Sequence, residues 1–239
     1  MKSFLAILIF CGLINITSNV ATQPAVEVVD TRPAKIAREI VDATVLIHSF
    51  QGGFGSGVVV YQDQDYALIA TALHVLGKGP INLFAFSQVD KNGKIRTLFP
   101  NDQLQLVKKD EKLDLALIKT TPYWTNHASM FSDKTIDSLE NYTECLVAGF
   151  PAVRASDPPH TVHITYGLIC ALEGRENMRI SAPIFFGNSG GGVWVLNNGR
   201  YKLAGLVHSV HSLDRTRAHI IPHIGEATEP KALIKFIYD

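Results

Sequence analysis

The sequence predicts an all-β fold of two antiparallel β-barrels packed side by side, followed by a C-terminal helix. Brief runs rich in β-branched and aromatic residues recur along the chain, with turn signals such as Asp90-Lys91-Asn92-Gly93 between them. A polar stretch from Tyr123 to Asn141 divides these runs into two sets. The last eleven residues change to a helical apolar pattern. Two sets of short strands are typical of two barrels.

The N-terminal half contains the first set. Residues 22–34 carry Pro24 and Pro33 without a clear period and are expected to be an exposed leader, and Ala34 to Val41 is expected to form a short helix. Seven strand-like runs follow, each bounded by polar or glycine-containing segments. They are Thr44–His48, Gly55–Tyr61, Tyr66–Ala72, Ile81–Phe86, Ile95–Phe99, Gln103–Val107 and Leu113–Lys119.

The second set occupies the C-terminal half. Asn197-Asn198-Gly199 is a strong signal for a hairpin turn between two of its strands. The tail from Glu229 to Asp239 has Pro230 in its first turn and a helical apolar pattern, which predicts a closing helix. The strand-like runs are Cys145–Phe150, Thr161–Leu172, Met178–Ala182, Gly192–Leu196, Tyr201–Val210 and Ala218–Pro222.

Composition is that of a globular domain. The chain has 239 residues, 46% of them hydrophobic and 18% charged, which suffices for one good core or two apposed small ones. Its 22 basic and 22 acidic residues give a net charge of zero. This balance provides no electrostatic basis for binding nucleic acid or an anionic membrane surface.

The first residues resemble a targeting segment. Lys2 precedes an apolar run from Phe4 to Ile14, and small residues follow toward Ala21. The run is shorter than the ~20 apolar residues that a membrane span needs. Residues 1–21 are therefore predicted to be a signal peptide of a secreted or periplasmic protein, with an uncleaved N-terminal anchor as the alternative. Phe10 before Cys11 argues against lipidation.

Two cysteines remain after that segment, Cys145 and Cys170, both in strand-like runs. If the two strands form an antiparallel hairpin, the thiols could face each other and be oxidised in an exported protein. The alternative is a pair of buried free thiols that behave as small hydrophobic groups. The sequence leaves both interpretations open.

The segment from Gly187 to Gly192 exposes one serine, Ser189, between glycines. Glycines allow a sharp turn and close approach of a ligand, and successive N–H groups in such a turn can bind an anion. A serine placed there faces donors suited to an oxyanion. By itself the segment also fits a turn between strands or a phosphate-binding loop.

Two further residues complete a catalytic pattern. His74 follows the apolar run Tyr66–Ala70, and Asp114 stands at the head of the run Leu115–Ile118. The order His, Asp, Ser is that of chymotrypsin-type enzymes, whereas subtilisins and α/β-hydrolases order these residues differently. Singly, each residue has an ordinary structural explanation, but their joint order predicts a catalytic triad.

Four segments resemble trypsin-like serine peptidases: Gly55–Val60, Ala72–Val75, Leu113–Ile118 and Gly187–Gly191. Gly167–Leu172 and Ile220–Pro222 extend the similarity to the HtrA or Deg-type branch. The resemblance covers residues 41–239. It implies a peptidase domain with two six-stranded barrels, at about 41–122 and 142–239, after a leader at 22–40. No peptide-binding PDZ domain is expected after residue 239.

The resemblance also implies the roles of the residues. Ser189 is the expected nucleophile, His74 the general base and Asp114 its orienting acid, with the N–H groups of Gly187 and Ser189 as the oxyanion hole. No cofactor is expected. Asn188 stands where trypsin has an Asp that pairs with a new N-terminus, so no such activation switch is expected. A serine endopeptidase acting on protein or peptide substrates is predicted; a non-catalytic binding module and an esterase are the alternatives.

Specificity is predicted from the residues around the serine. Pro183 stands where trypsin has the acid that selects Arg or Lys, and Ile184 makes the pocket apolar. His208 is a candidate substrate-binding residue, because some relatives that cut after Glu or Gln use a histidine on this wall. Its alternative is a structural histidine. A metal site at His208 with His211, or at His160 with His163, is rejected because suitable partners are missing.

Overall fold

The computed structural model describes residues 33–49, 53–77, 84–89, 95–98, 105–121, 128, 130, 139–151, 161–172, 176–212 and 220–239. The predicted signal peptide, the leader up to residue 32 and most of the polar stretch lie outside the described residues. In the described part of the chain, no helix has both the length and the apolar character needed to cross a membrane.

Seven antiparallel strands form the first sheet, one for each predicted run of the first set. Their order is β5-β4-β1-β2-β3-β7-β6. Thr71 pairs with Ala116 and Ala72 with Leu115, so the end of β3 lies beside the start of β7. The strands are β1 (Thr44–Ser49), β2 (Phe54–Gln62), β3 (Ala67–Ala72), β4 (Phe84–Val89), β5 (Ile95–Leu98), β6 (Gln105–Asp110) and β7 (Leu115–Thr120), with a 3₁₀ turn (Leu73–Leu76) after β3.

The predicted all-β fold of two barrels and a C-terminal helix is confirmed, and the strand number of the first sheet differs from the expected six. This sheet has seven strands, and β5 and β6 are its two edges in the described residues. The additional strand arises because β1 pairs with both β2 and β4, and β4 continues into a hairpin with β5. The seven runs identified in the sequence therefore describe this sheet better than the family pattern does.

Six strands form the second barrel, which is closed in the order β10-β13-β12-β11-β8-β9. The hairpin turn predicted at Asn198-Gly199 joins β11 and β12, and both residues have positive φ, +51° and +77°. The strands are β8 (Glu144–Gly149), β9 (His163–Leu172), β10 (Asn177–Ile180), β11 (Gly192–Asn197), β12 (Arg200–Ser212) and β13 (Ile220–Thr228).

The last strand is longer than predicted. The predicted last strand was the run Ala218–Pro222, but β13 continues to Thr228. Residues beyond Pro222 pair with β12 on one side and β10 on the other, including Gly225 and Glu226. Two-sided pairing supplies backbone hydrogen bonds that override the low strand propensity of these residues.

Two helices complete the described fold, α1 (Pro33–Ala43) and α2 (Pro230–Tyr238). Pro230 opens α2 as predicted, since a helix does not need the N–H of its first residue. Ile40 of α1 is fully buried and belongs to a hydrophobic cluster that includes residues of both sheets. The predicted helix at 34–41 is thus an integral part of the domain.

A hydrophobic layer joins the two sheets. Val58 and Leu117 of the first sheet share one buried cluster with Trp194 and Leu206 of the second. Leu233 and Phe236 of α2 and Ile40 of α1 belong to the same cluster. Each sheet also has its own interior cluster. The two sheets therefore pack directly on one another, and this packing places loops from both sheets at a common junction.

The two cysteines are free. They lie on the antiparallel neighbours β8 and β9, as predicted, but Cys145 is paired with Gly167 and its side chain is buried, whereas Cys170 is exposed. Side chains alternate between the faces of a strand, and the two thiols therefore lie on opposite faces of the barrel wall. The interpretation as facing thiols is not supported, and only Cys145 behaves as a buried hydrophobic group. Burial raises the pKa of the Cys145 thiol to about 12.

Candidate active site

The turn between β6 and β7 presents Asp114 at the junction. Asp110 Oδ1 accepts the N–H groups of Lys112 (2.8 Å) and Leu113 (2.9 Å), which fixes the turn by an Asx arrangement. Asp114 then adopts φ +52°, a left-handed conformation that Asp tolerates better than most residues. This conformation turns the chain sharply before it enters β7.

Asp114 holds His74 at both its backbone and its ring. Its Oδ1 accepts the His74 N–H at 2.9 Å, and its Oδ2 lies 2.5 Å from His74 Nδ1. The Asp114 carbonyl also accepts the Leu73 N–H at 2.8 Å. Because a carboxylate only accepts, this geometry directs the Nδ1 proton toward Asp114 and leaves Nε2 as the basic nitrogen. The His74 side chain is half-exposed, so that nitrogen is accessible to a substrate.

The glycine segment around Ser189 forms the tight turn that the sequence predicted. Gly187 and Gly190 have φ of +92° and +80°. The Gly191 N–H donates to Asn188 O at 2.8 Å. A Cβ at Gly190 would lie 2.1 Å from Ser56 O and 2.3 Å from Thr71 Oγ1, so only glycine fits. The serine loop thus packs against the start of β2 and the end of β3.

Hydrogen bonds tie this loop to both sheets. Ser56 of β2 donates its N–H to Ser189 O (2.7 Å) and its Oγ to Gly187 O (2.6 Å). On the other side, Gly190 N–H donates to Val207 O at 2.6 Å, and Val207 N–H donates to Gly191 O at 2.9 Å. A Cβ on Gly190 would also lie 2.9 Å from Ala72 N, two residues before His74. The structure therefore brings the predicted nucleophile to the segment that carries His74.

The hydrogen bonds around Ser189 differ from those of a fully assembled catalytic triad. No hydrogen bond joins Ser189 Oγ to His74 among the described residues. Within the same residues, the N–H groups of Gly187 and Ser189 have no protein acceptor, which leaves both donors available to a ligand. Free donors beside a serine are the arrangement that an oxyanion hole requires.

A family model described as the trypsin-like peptidase domain matches residues 55–205. The chain belongs to the trypsin-like peptidase family. The predicted family and enzyme class, a serine-type peptidase, are confirmed at this level. No curated protein shows significant similarity to the chain.

Solved structures share the fold. A serine endoprotease from Yersinia pestis is 22% identical with a TM-score of 0.60, over 84% of this chain and 63% of that one. An inactive serine-to-alanine mutant of an M. tuberculosis H37Rv protein is 17% identical with a TM-score of 0.61, over 86% and 91% of the two chains. Deg5 is 20% identical with a TM-score of 0.59, over 84% and 90%. The chain thus spans less than two thirds of the Yersinia structure.

Ile184, the predicted apolar residue of the peptidase pocket, lies in the interior cluster of the second barrel. It is only 1% exposed. A Cβ built on Gly225 would lie 2.1 Å from Ile184 Cδ1, so this side chain reaches the backbone of β13. Pro183 is held nearby because its carbonyl accepts the Thr165 hydroxyl at 3.0 Å. Ile184 is therefore a core residue of the second barrel.

Phe185 and Phe186 precede Gly187, the expected oxyanion-hole glycine, and are 44% and 61% exposed. Phe186 was not among the predicted site residues. The available signal was its place beside Gly187, since apolar side chains next to a turn that binds ligand are candidates for substrate contact. Two large apolar side chains beside the serine loop are therefore exposed.

Asn188 is 3% exposed, and its Oδ1 has no partner within the described residues. A Cβ at Gly149 would lie 2.9 Å from this oxygen, so the side chain is directed into the junction rather than toward solvent. A neutral amide is the less costly group at such a buried position, because an unpaired carboxylate there would carry an uncompensated charge.

His208, the other predicted substrate-binding residue, lies in a β-bulge of β12. Val207 pairs with Ala227 and Ser209 with Glu226, which leaves His208 as the inserted residue between them. Its Nε2 is buried and has no hydrogen-bond partner in the described residues. Burial lowers the pKa of the His208 imidazole, while Glu226 and Asp114 oppose that shift and His74 adds to it. His208 is thus a partly buried histidine at the inserted position of a bulge.

Proposed function

We propose that this protein is a serine endopeptidase that hydrolyses peptide bonds through an acyl-enzyme on Ser189. The observation that carries the proposal is the pair of hydrogen bonds that Asp114 accepts from the backbone and the ring of His74, next to a glycine turn that presents Ser189. In this mechanism Ser189 Oγ attacks the substrate carbonyl and His74 Nε2 takes the proton. His74 then donates that proton to the leaving amine, while Asp114 stabilises the imidazolium.

The Gly187 and Ser189 N–H groups bind the oxyanion of the tetrahedral intermediate. The lack of a protein acceptor for either donor in the described residues supports this role. Loss of one such donor typically lowers kcat by about 10²–10³. Water then attacks the acyl-enzyme with His74 again as the base, which regenerates the free serine.

Labelling by a fluorophosphonate tests the nucleophile. Wild type should be labelled at one site and hydrolyse peptides, and Ser189→Ala should lose both while its unfolding transition is unchanged. Ser181→Ala, in the segment before the loop, is the control and should still be labelled. Undiminished labelling of Ser189→Ala would contradict the assignment. An unlabelled wild type would support a binding module, and ester cleavage without peptide cleavage would support an esterase.

The substrate preference that we propose is for small or medium aliphatic residues before the scissile bond. Pro183 stands where an acid would pair with Arg or Lys, and the exposed Phe185 and Phe186 make the surroundings of the serine loop apolar. A buried basic side chain there would lack a compensating charge, which is costly. An acidic residue read by His208 is the alternative.

Peptides that differ only at this position test the preference by kcat/KM. Alanine and valine should exceed arginine and lysine by at least about tenfold. Preferred cleavage after Arg or Lys would contradict the pocket argument. Cleavage after Glu that is lost in His208→Ala would favour the alternative.

Export is proposed from the N-terminal sequence alone. Lys2 and the apolar run that follows it are typical of a signal peptide that ends near Ala21. Mass spectrometry of protein from its native source should find a mature chain that begins close to residue 22. A soluble cytoplasmic protein that retains Met1 would contradict this.

A further inference from the structure

Ser56 is a fully buried residue at the contact between β2 and the serine loop. The pairing of β2 with β3 begins one residue later, where Gly57 is opposite Thr71. The Ser56 N–H donates to Ser189 O at 2.7 Å, and its carbonyl accepts the Thr71 hydroxyl at 2.7 Å. The backbone of Ser56 therefore connects the serine loop to β3, the strand that leads into His74.

The Ser56 hydroxyl makes two further hydrogen bonds. It accepts the Phe150 N–H at 2.8 Å and donates to Gly187 O at 2.6 Å. A hydroxyl carries a single hydrogen, and because the Phe150 N–H occupies a lone pair, that hydrogen is directed to the Gly187 carbonyl. The residue that supplies one expected oxyanion donor is therefore tied to β2 through this hydroxyl.

The two expected oxyanion donors, the N–H groups of Gly187 and Ser189, are separated by one peptide group. That group runs from the Gly187 carbonyl to the Asn188 N–H, which donates to Phe185 O at 3.0 Å. Because a peptide group is planar, hydrogen bonds at both of its ends fix its orientation. Ser56 thus binds the carbonyls of both donor residues, Gly187 through its hydroxyl and Ser189 through its N–H.

Resting on the proposed function, we infer that Ser56 is a positioning residue for the oxyanion hole. Its hydroxyl fixes the Gly187 donor at a set distance from the Ser189 donor, so that both N–H groups meet one oxyanion. Without the hydroxyl, the Ser189 carbonyl stays bonded to β2, whereas the Gly187 carbonyl becomes a buried acceptor without a donor. The Gly187 N–H is then no longer held in line with the Ser189 N–H.

The expected loss is in the stabilisation of the transition state and not in substrate binding. The carbonyl oxygen of the substrate gains its negative charge only as Ser189 attacks, so a displaced donor costs most at that point. Ser56→Cys fills nearly the same space with a weak donor, and Ser56→Ala removes the donor. In both variants kcat should fall about 10- to 100-fold, while KM stays within about threefold of wild type.

Two ligands with the same peptide sequence separate these effects. Ser189 Oγ adds to the carbon of a peptide aldehyde that ends in valinal, and the hemiacetal oxygen occupies the oxyanion hole. The corresponding peptide amide binds without this covalent bond. Both Ser56 variants should bind the aldehyde about 10- to 100-fold more weakly and the amide less than about threefold more weakly.

Thr44→Val is the matched control for the loss of a buried hydroxyl. Thr44 is also fully buried and donates to a backbone carbonyl, Ile40 O at 2.7 Å, but it lies at the start of β1. This variant should bind both ligands as wild type does. Equal weakening of the aldehyde in Thr44→Val would contradict a specific role of Ser56.

Hydrogen exchange of the Asn188 N–H, followed by NMR, provides a readout independent of peptidase activity. This N–H is bonded to Phe185 O, and its protection should fall at least about tenfold in Ser56→Cys but not in Thr44→Val. Unchanged protection, or equal weakening of the aldehyde and the amide, overturns the positioning role. Reduced protection in Ser56→Cys, when wild type neither cleaves peptides nor prefers the aldehyde, would refute only the proposed function.

Discussion

At the residue scale, the site depends on backbone conformations that few residues adopt. Gly187 and Gly190 have positive φ, as does Asp114. Such conformations carry a free-energy cost and persist where the surrounding contacts determine them, often at functional sites. Here the contacts are the hydrogen bonds of Ser56, Val207 and Leu73 to the two turns. The sequence predicted the glycines, but nothing in it distinguished the strained Asp114 from an ordinary strand-start acid.

Gly190→Ala should strongly impair both activity and stability. The new Cβ would lie 2.1 Å from Ser56 O, and the residue would remain at φ +80°. The loop has to move, and displacement of a nucleophile by about 1 Å can lower kcat about 10²-fold. Enzyme assays and chemical denaturation measure the two effects.

Gly199→Ala is the matched control for this change. Gly199 has φ +77°, but nothing lies within 4 Å of a Cβ there. The free energy of unfolding of this variant should fall by only about 1–2 kcal/mol, the cost of a left-handed conformation for a residue with a Cβ. Its activity should be unchanged. Equal activity of the two variants would show that the close approach at Gly190 is unimportant.

At the element scale, the β6–β7 turn determines the position of His74 through Asp114. Asp110 shapes the turn, and Asp114 at its end binds both the backbone and the ring of His74. The neighbouring ion pair of Lys112 and Glu176, at 2.6 Å, is largely exposed, so it adds little. The hydrogen bonds of Asp110 are therefore the main local restraint on the position of Asp114.

Asp110→Ala should lower kcat/KM by about 10- to 100-fold through misplacement of Asp114. The loss of two hydrogen bonds should also reduce the free energy of unfolding by about 1–2 kcal/mol. Steady-state kinetics and urea denaturation measure these quantities.

Asp63→Ala is the control, because Asp63 Oδ1 accepts the N–H groups of Asp65 and Tyr66 in the same arrangement between β2 and β3. Its loss of stability should be similar and its kcat/KM unchanged. If both variants kept full activity, the Asp110 turn would not control the site.

At the scale of the whole molecule, the proposed active site lies where the two sheets share one interface. His74 and Asp114 come from the first sheet and Ser189 from a loop of the second. Ser56 joins them: its buried Oγ donates to Gly187 O and accepts the Phe150 N–H at 2.8 Å. This one hydroxyl links β2 to both the serine loop and the end of β8.

Ser56→Ala should destabilise the protein and reduce kcat. It leaves the Phe150 N–H and the Gly187 carbonyl without their buried partner, at a cost of about 1–3 kcal/mol. Because the proposed mechanism uses the Gly187 N–H as an oxyanion donor, the decrease in kcat should be larger than any change in KM. Thermal unfolding and kcat measured on the same preparation check both parts.

Thr44→Val removes a comparable buried hydroxyl that donates to Ile40 O at 2.7 Å, at the junction of α1 and β1. It should lower stability by about 1 kcal/mol without a specific effect on kcat. If kcat fell equally in both variants after correction for the folded fraction, the bridging role of Ser56 would be untenable.

Local signals were sufficient wherever a residue type restricts the backbone or the chain follows a simple period. The seven runs of the first set, the Asn198-Gly199 turn and the Pro230 helix were all predicted and are present. The extension of β13 to Thr228 was missed because strand propensity is weak beside pairing with two neighbours. Burial of Ile184 in the barrel interior could not be predicted from the sequence either, because its contact with Gly225 joins segments that are far apart in the chain.

The sequence by itself determined the fold class, the order of the elements and the three residues of the expected triad, because turn residues, apolar periodicity and motif order are local properties. Only the tertiary structure decided which side chains meet. It joined Asp114 to His74 by two hydrogen bonds, separated Cys145 from Cys170, and left His208 as the inserted residue of a β-bulge. Strand register determines which face each residue occupies, and register arises from pairing between segments far apart in the chain.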